Sequence, residues 1–159
     1  MVLGAAAHTA GTHPTVRRIA WLAHAAEPDF YVIPVKGVPR KALRSSFGAP
    51  RSGGRKHHGI DIMAKRGTAV LAAADGFVIS TRPNRLGGTV VWILGSRGIT
   101  YYYAHLDRIR EGVRAGRFVL AGEVIGTVGD SGNAKGGPPH LHFGIYQNGP
   151  RDPYPLLRP

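Results

Sequence analysis

The chain has 159 residues, 21 of them lysine or arginine against 9 aspartates and glutamates, for a formal charge of +12 and a pI near 10.9. It contains no cysteine, which excludes disulfides, thiolate metal ligands, a cysteine nucleophile and a lipidated N-terminal cysteine. The length suits one domain with one core, and 23 glycines with 12 prolines suit short strands joined by turns.

Residues 1–33 stand apart from the rest. Arg17-Arg18 precedes a short apolar run at 19–23, and Ala23-His24-Ala25 has the small-x-small form of a cleavage site. The run is shorter than the core of an export signal, so a short amphipathic helix over 16–26, packed on or preceding the domain, is the alternative. No stretch approaches the length of a transmembrane helix. From Pro34 onward, residues 34–159 read as strand and turn. Apolar or β-branched segments at 69–73, 76–80, 89–94, 99–104 and 124–128 are bounded by Gly, Asn, Asp or Pro. Leu106–Ile109 is helix-like but too short to be more than a turn. A weak repeat runs through the series: Gly67-x-x-Val70-Leu71-Ala72 recurs as Gly116-x-x-Val119-Leu120-Ala121. The expected fold is all-β, a compact antiparallel β-sandwich built from a duplicated strand-turn motif, with an irregular or short-helical N-terminal segment. Similar hairpins occur in lipoyl and biotin carriers, so the repeat bears on fold and not on function.

The residues that carry chemistry are histidines and one carboxylate. His140 and His142 are two apart, with apolar Leu141 and Phe143 alternating with them. On a strand, side chains at i and i+2 share a face, so both imidazoles would converge while Leu141 and Phe143 enter a core. His57 and Asp61 are four apart, a helical spacing, but Gly53, Gly54 and Gly59 surround them. A loop carrying His57 that turns at Gly59 into a strand carrying Asp61 is expected. His105 lies between the two motifs, in Tyr103-Ala104-His105-Leu106. Three such donors suffice for Zn²⁺ with a fourth position open to water, as in catalytic zinc sites. Surface histidines are ordinarily only that, and His8, His13, His24 and His58 are read so.

The segments Ser46-Phe47-Gly48 to Arg51, His57-His58-Gly59-Ile60-Asp61, Gly67-Thr68-Ala69-Val70, Tyr103-Ala104-His105-Leu106, Gly129-Asp130-Ser131-Gly132 and Pro139-His140-Leu141-His142-Phe143 together resemble the lysostaphin-type zinc metallopeptidases. The likeness runs from about Pro34 to Pro155, with the motifs in the family's order. Ala104 stands where glycine is common, and His58 fills a variable slot; neither removes a ligand. The resemblance implies one zinc ion held by His57, Asp61 and His142, with His105 and His140 as the catalytic histidines. It further implies a zinc-dependent endopeptidase that hydrolyses peptide cross-links of bacterial peptidoglycan, exported to the periplasm or cell wall and acting as a monomer.

Zinc would polarise the scissile carbonyl and lower the pKa of bound water. No H-E-x-x-H glutamate is present to act as base. By the resemblance His105 and His140 share proton transfer and oxyanion stabilisation, in an order the residues leave open. Two glycine-rich loops, 82–88 and 129–139, are expected to wall the cleft, and Tyr102 or Tyr103 is either an oxyanion donor or packing. The alternative function is a non-catalytic cell-wall-binding regulator of another hydrolase; such members have usually lost ligands, and the set here is complete. The positive charge, clustered at Arg40, Lys41, Arg44, Arg51, Arg55 and Lys56, comes with no nucleic-acid module. An anionic wall polymer accounts for it as well, and no nucleic-acid partner is expected.

Overall fold

The computed structural model describes residues 14–157; His8, His13 and the other residues of 1–13 lie outside the described residues. One helix, α1 (Pro14–His24), precedes β1 (Ile60–Met63), β2 (Ala69–Leu71), β3 (Gly76–Ser80), β4 (Thr89–Leu94), β5 (Thr100–Ile109), β6 (Phe118–Val119), β7 (Val124–Val128), β8 (His140–Tyr146) and β9 (Pro150–Arg151). Their pairings are antiparallel, in the order β1-β8-β5-β4-β3-β6, with β7 also on β5, β2 on β7 and β9 on β8.

The long strand β5 makes one sheet serve as two layers. Residues 100–104 lie between β4 and β8, while 106–109 pair with β7. Leu106–Ile109 is therefore strand and not the expected turn. Its alternation is broken by irregular registers just before it and at Leu106/Arg108, which hide the strand from a reading by periodicity. The chain after β2 crosses the inward face, where the Ala73 N–H donates to the Tyr103 hydroxyl at 2.8 Å.

The pleat sorts side chains as the alternation demands. Ile60, Ile62, Ile93, Tyr101, Tyr103, Leu141, Phe143 and Ile145 point inward and are at most 2% exposed. Asp61, Trp92, Tyr102, His140 and His142 alternate with them on the opposite face and are half-buried. A one-residue slip of β8 would bury two imidazoles and expose Leu141 and Phe143, so the register is strongly specified. Truncating Phe143 to alanine removes one of the larger anchors, at a cost of about 3–5 kcal/mol.

The internal repeat is realised as an exchange. The first copy leads into β3 and the second into β7, yet β2 pairs with β7 and β3 with β6. Each copy completes the other's hairpin. The hydrogen bonds match: Gly67 N–H donates to Val128 O and Gly116 N–H to Val78 O, both at 2.8 Å. The returning bonds, Val128 N–H to Thr68 O and Val78 N–H to Arg117 O, are also 2.8 Å. Gly67 and Gly116 share a left-handed φ of 84° and 85°.

The N-terminal segment is tied to this frame. Leu22 of α1 is buried, Trp21 meets Phe118 edge-on at 6.5 Å, and the Arg18 guanidinium lies 4.9 Å over the same ring. Tyr31 is a core residue bridged to Leu157, and its hydroxyl donates to Glu27, which pairs with Arg151 at 2.8 Å.

Candidate metal centre

His57 lies on the loop before β1, where it is 4% exposed. Its backbone is fixed by two bonds, His57 N–H to Ala49 O at 2.9 Å and Gly48 N–H to His57 O at 2.8 Å. Its Nδ1 donates to the Ser46 carbonyl at 2.8 Å, so the neutral ring presents Nε2 as a bare lone pair. Asp61 on β1 sits directly opposite His142 on β8, and Met63 opposite His140. His57 Nε2 is 2.8 Å from His142 Nδ1 and 3.0 Å from Asp61 Oδ1, which is 3.2 Å from His142 Nδ1. Among the described residues, these three form the cluster able to hold a metal ion.

The donor chemistry fits zinc. Two neutral imidazoles and a carboxylate form an accepted ligand set, and tetrahedral bonds of about 2.0–2.1 Å place donors roughly 3.3 Å apart. The observed separations are close to that. Without a cation or shared proton, three lone pairs would face one another at these distances. Gly59 permits the approach: a Cβ there would lie 2.9 Å from His142 Nε2 and 2.4 Å from the Phe143 carbonyl oxygen.

The surroundings tune the ligands. Burial alone would raise the Asp61 carboxyl, but hydrogen bonds and charge from His142 and His57 outweigh it and hold it well below the usual carboxylate range. Its second oxygen, Oδ2, accepts from Arg51 at 2.5 Å. Burial lowers the pKa of His142, against the opposing pull of Asp61, and so favours its neutral, ligating form. Ser46 serves twice, since its hydroxyl also accepts from the Asp61 N–H at 3.4 Å.

The other two histidines stand beside the cluster. His140 donates from Nδ1 to the Pro138 carbonyl at 2.9 Å, leaving Nε2 3.9 Å from Asp61 Oδ1. His105 reaches the same face only because β5 departs from alternation: Tyr103 and Leu106 both point inward, three positions apart, and His105 takes a φ of +61°. That left-handed conformation costs a non-glycine residue about 1–3 kcal/mol. It is held by His105 N–H donating to Gly87 O at 2.7 Å and by Nδ1 donating to Ser131 O at 2.8 Å. Burial, aided by the charges of His140 and His142 and opposed by the Ser131 bond, pushes the His105 pKa down to about 4. The His105 and His140 rings are 4.9 Å apart.

All five residues singled out by sequence thus meet on one face. Sequence reasoning missed the supports. Ser131 bridges β4 and β5 through its hydroxyl, which accepts from Thr89 N–H at 3.0 Å and donates to Leu106 O at 2.8 Å. The loops 82–88 and 129–139 are bonded to each other by Asn133 N–H donating to Leu86 O at 2.9 Å. Arg66 ties this region further by pairing with Asp107 and Asp130. The only signal for these roles is that Ser46 and Ser131 fall inside the quoted motifs. Of the two tyrosines, Tyr103 points into the core, while Tyr102 lies on the site face with its ring 5.8 Å from His142. The basic cluster is not a uniform rim: Arg51 holds Asp61, and Arg40 stacks 4.2 Å over Tyr154.

Residues 55–153 match the model of Peptidase family M23. The chain is 42% identical over 132 residues to an L-Ala–D-Glu endopeptidase of Bacillus subtilis, covering 74% of this chain and 40% of that protein. It is 38% identical over 95 residues to the peptidoglycan DD-endopeptidase ShyC of Vibrio cholerae, covering 60% of this chain and 21% of that protein. The chain therefore spans less than half the length of these relatives. A zinc-containing peptidase from Vibrio cholerae has a similar structure, with a TM-score of 0.67 at 29% identity, over 85% of this chain and 41% of that one.

Proposed function

From the premise that the chain belongs to peptidase family M23, we propose that it is a zinc-dependent endopeptidase hydrolysing peptide bonds of bacterial peptidoglycan. The observation that carries this is the convergence of His57, Asp61 and His142 on one point with two further histidines beside it. The similarity to an L-Ala–D-Glu endopeptidase and to a peptidoglycan DD-endopeptidase supports the substrate.

His57, Asp61 and His142 would hold one Zn²⁺, which would supply Lewis-acid polarisation of the scissile carbonyl and acidify the attacking water near neutral pH. His105 is the general base. Its Nδ1–H is committed to Ser131, its Nε2 lone pair is open, and burial keeps it neutral under working conditions. It takes the proton of the attacking water and returns it to the leaving amine nitrogen as the C–N bond breaks. His140 lies across from it with Nδ1–H on Pro138, and in its protonated form its Nε2–H would donate to the carbonyl oxygen. The carboxylate of Asp61 stays ionised because Arg51 and the imidazoles surround it.

The site is complete within one chain, which supports action as a monomer. The substrate puts the work outside the cytoplasmic membrane, in the periplasm or cell wall. No helix among the described residues is long and apolar enough to cross a membrane. The regulator reading finds no missing donor to support it. The test is digestion of purified sacculi with zinc-loaded protein, followed by mass spectrometry of released fragments. New peptide termini that vanish with a chelator are expected; sacculi left intact by zinc-loaded, folded protein would sink the proposal.

A further inference from the structure

On the same sheet face, next to the candidate centre, three aromatic side chains form a shelf. Trp92 on β4 is directly opposite Tyr102 on β5, with ring centroids 4.2 Å apart. Tyr146 on β8 lies 5.5 Å from Trp92. Tyr102 faces Gly144, which carries no side chain, and the Tyr146 ring leans over that glycine, 2.9 Å from where a Cβ would be. All three rings are half-buried, on the face opposite the core. Core packing does not account for aromatic residues at these positions, because Ile93, Tyr101, Phe143 and Ile145 already fill the inward face.

We infer that this shelf is a subsite for a pyranose ring of the glycan strand that carries the peptide, an inference that rests on the peptidoglycan reading above. A sugar ring offers C–H bonds on its faces and hydroxyls at its rim. Aromatic rings attract the former through the negative face of the π-system, while polar groups must meet the latter. The Tyr102 hydroxyl accepts from Asn84 Nδ2 at 3.0 Å and keeps its own proton to donate. The opposite flank of the centre is different in kind. There the loop before β1 carries Arg55 and Lys56, a setting for the carboxylates of a peptide stem. The strand order β1-β8-β5-β4 therefore gives the substrate a direction, with glycan toward β4 and acidic peptide toward β1.

Two measurements test this on the zinc-loaded protein. The first digests disaccharide–tetrapeptide dimers beside the same dimers freed of their sugars, read by mass spectrometry. Faster cleavage of the sugar-bearing dimer is expected. Equal rates would overturn the inference while leaving the proposed function standing, and no cleavage of either would count against that function. The second compares kcat/KM for the sugar-bearing and sugar-free dimers in wild type and in Trp92→Leu. The sugar should raise kcat/KM about tenfold, the effect of roughly one stacking contact, and Trp92→Leu should bring the ratio toward one. An unchanged ratio in Trp92→Leu would refute the subsite. Should that variant fail to fold, fluorescence of Trp92 in a Trp21→Phe background decides the matter. Quenching by N-acetylmuramyl dipeptide, and not by the acetyl-capped dipeptide, is expected; equal quenching by both would assign the shelf to peptide.

Discussion

The candidate ligands and the two histidines beside them occupy one sheet face, but the backbone delivers them differently. Asp61 and His142 are cross-strand neighbours in regular β1 and β8, and strand alternation alone aims them. His105 depends on a break in β5, a φ of +61° and two bonds from elsewhere in the chain, to Gly87 and Ser131. Regular geometry supplies two of the three candidate ligands, with His57 added from a loop. Strained, externally braced geometry supplies the proposed general base, where off-pattern backbone conformations tend to gather. The difference makes the two groups separable by mutation.

The largest effect is expected at the regular part. His142→Ala or Asp61→Ala should abolish stoichiometric zinc, measured by mass spectrometry of dialysed protein, and lower turnover by roughly a thousandfold or more. Retention of one zinc per chain in either variant would show that the ligands are wrongly assigned. The two histidines beside the cluster should behave otherwise. His105→Ala and His140→Ala are expected to keep their zinc while losing about 10²–10⁴-fold in kcat; zinc loss along with turnover would erase the distinction.

Between the two stands Arg51, which holds the far oxygen of Asp61 from an exposed position. Arg51→Met should leave the fold intact and weaken zinc about 10–100-fold, as removal of a ligand's outer partner does. Competition with a chromogenic chelator reads this directly, and wild-type affinity would mean that Arg51 only caps a surface charge.

The smallest effect is on stability. His105 has a folded pKa of about 4 against an ordinary 6.5. Between these values the unfolded chain binds a proton that the fold excludes, so stability rises with pH across the window and falls on acidification. Urea unfolding of metal-free protein should show wild type losing more stability than His105→Gln from pH 6.5 to 4, by at most about 3 kcal/mol. Parallel curves would mean that His105 is freely protonated in the fold.

These differences also explain what could be read from residues alone. His140, His142 and Asp61 were legible because each alternates with apolar neighbours at the spacing of a strand. The loop position of His57 followed from its glycines. The strand character of Leu106–Ile109 was hidden because the break at His105 shifts the inward positions out of phase. Ser46, Ser131 and Gly87 act mainly through main-chain carbonyl oxygens. A carbonyl is common to every residue type, so no side-chain pattern announces it. The exchange between the two repeat copies was equally hidden, since the repeat shows what recurs and not which strand each copy will pair with.

That exchange, together with the central place of β8, has a consequence for synthesis. Until the second copy leaves the ribosome, β2 lacks β7 and β3 lacks β6, one of its two neighbours, and until His142 follows, two of the three donors wait for the third. A nascent fragment halted anywhere before β8 is therefore inert toward the wall. The lytic activity proposed for this domain switches on only when nearly all of it has been made.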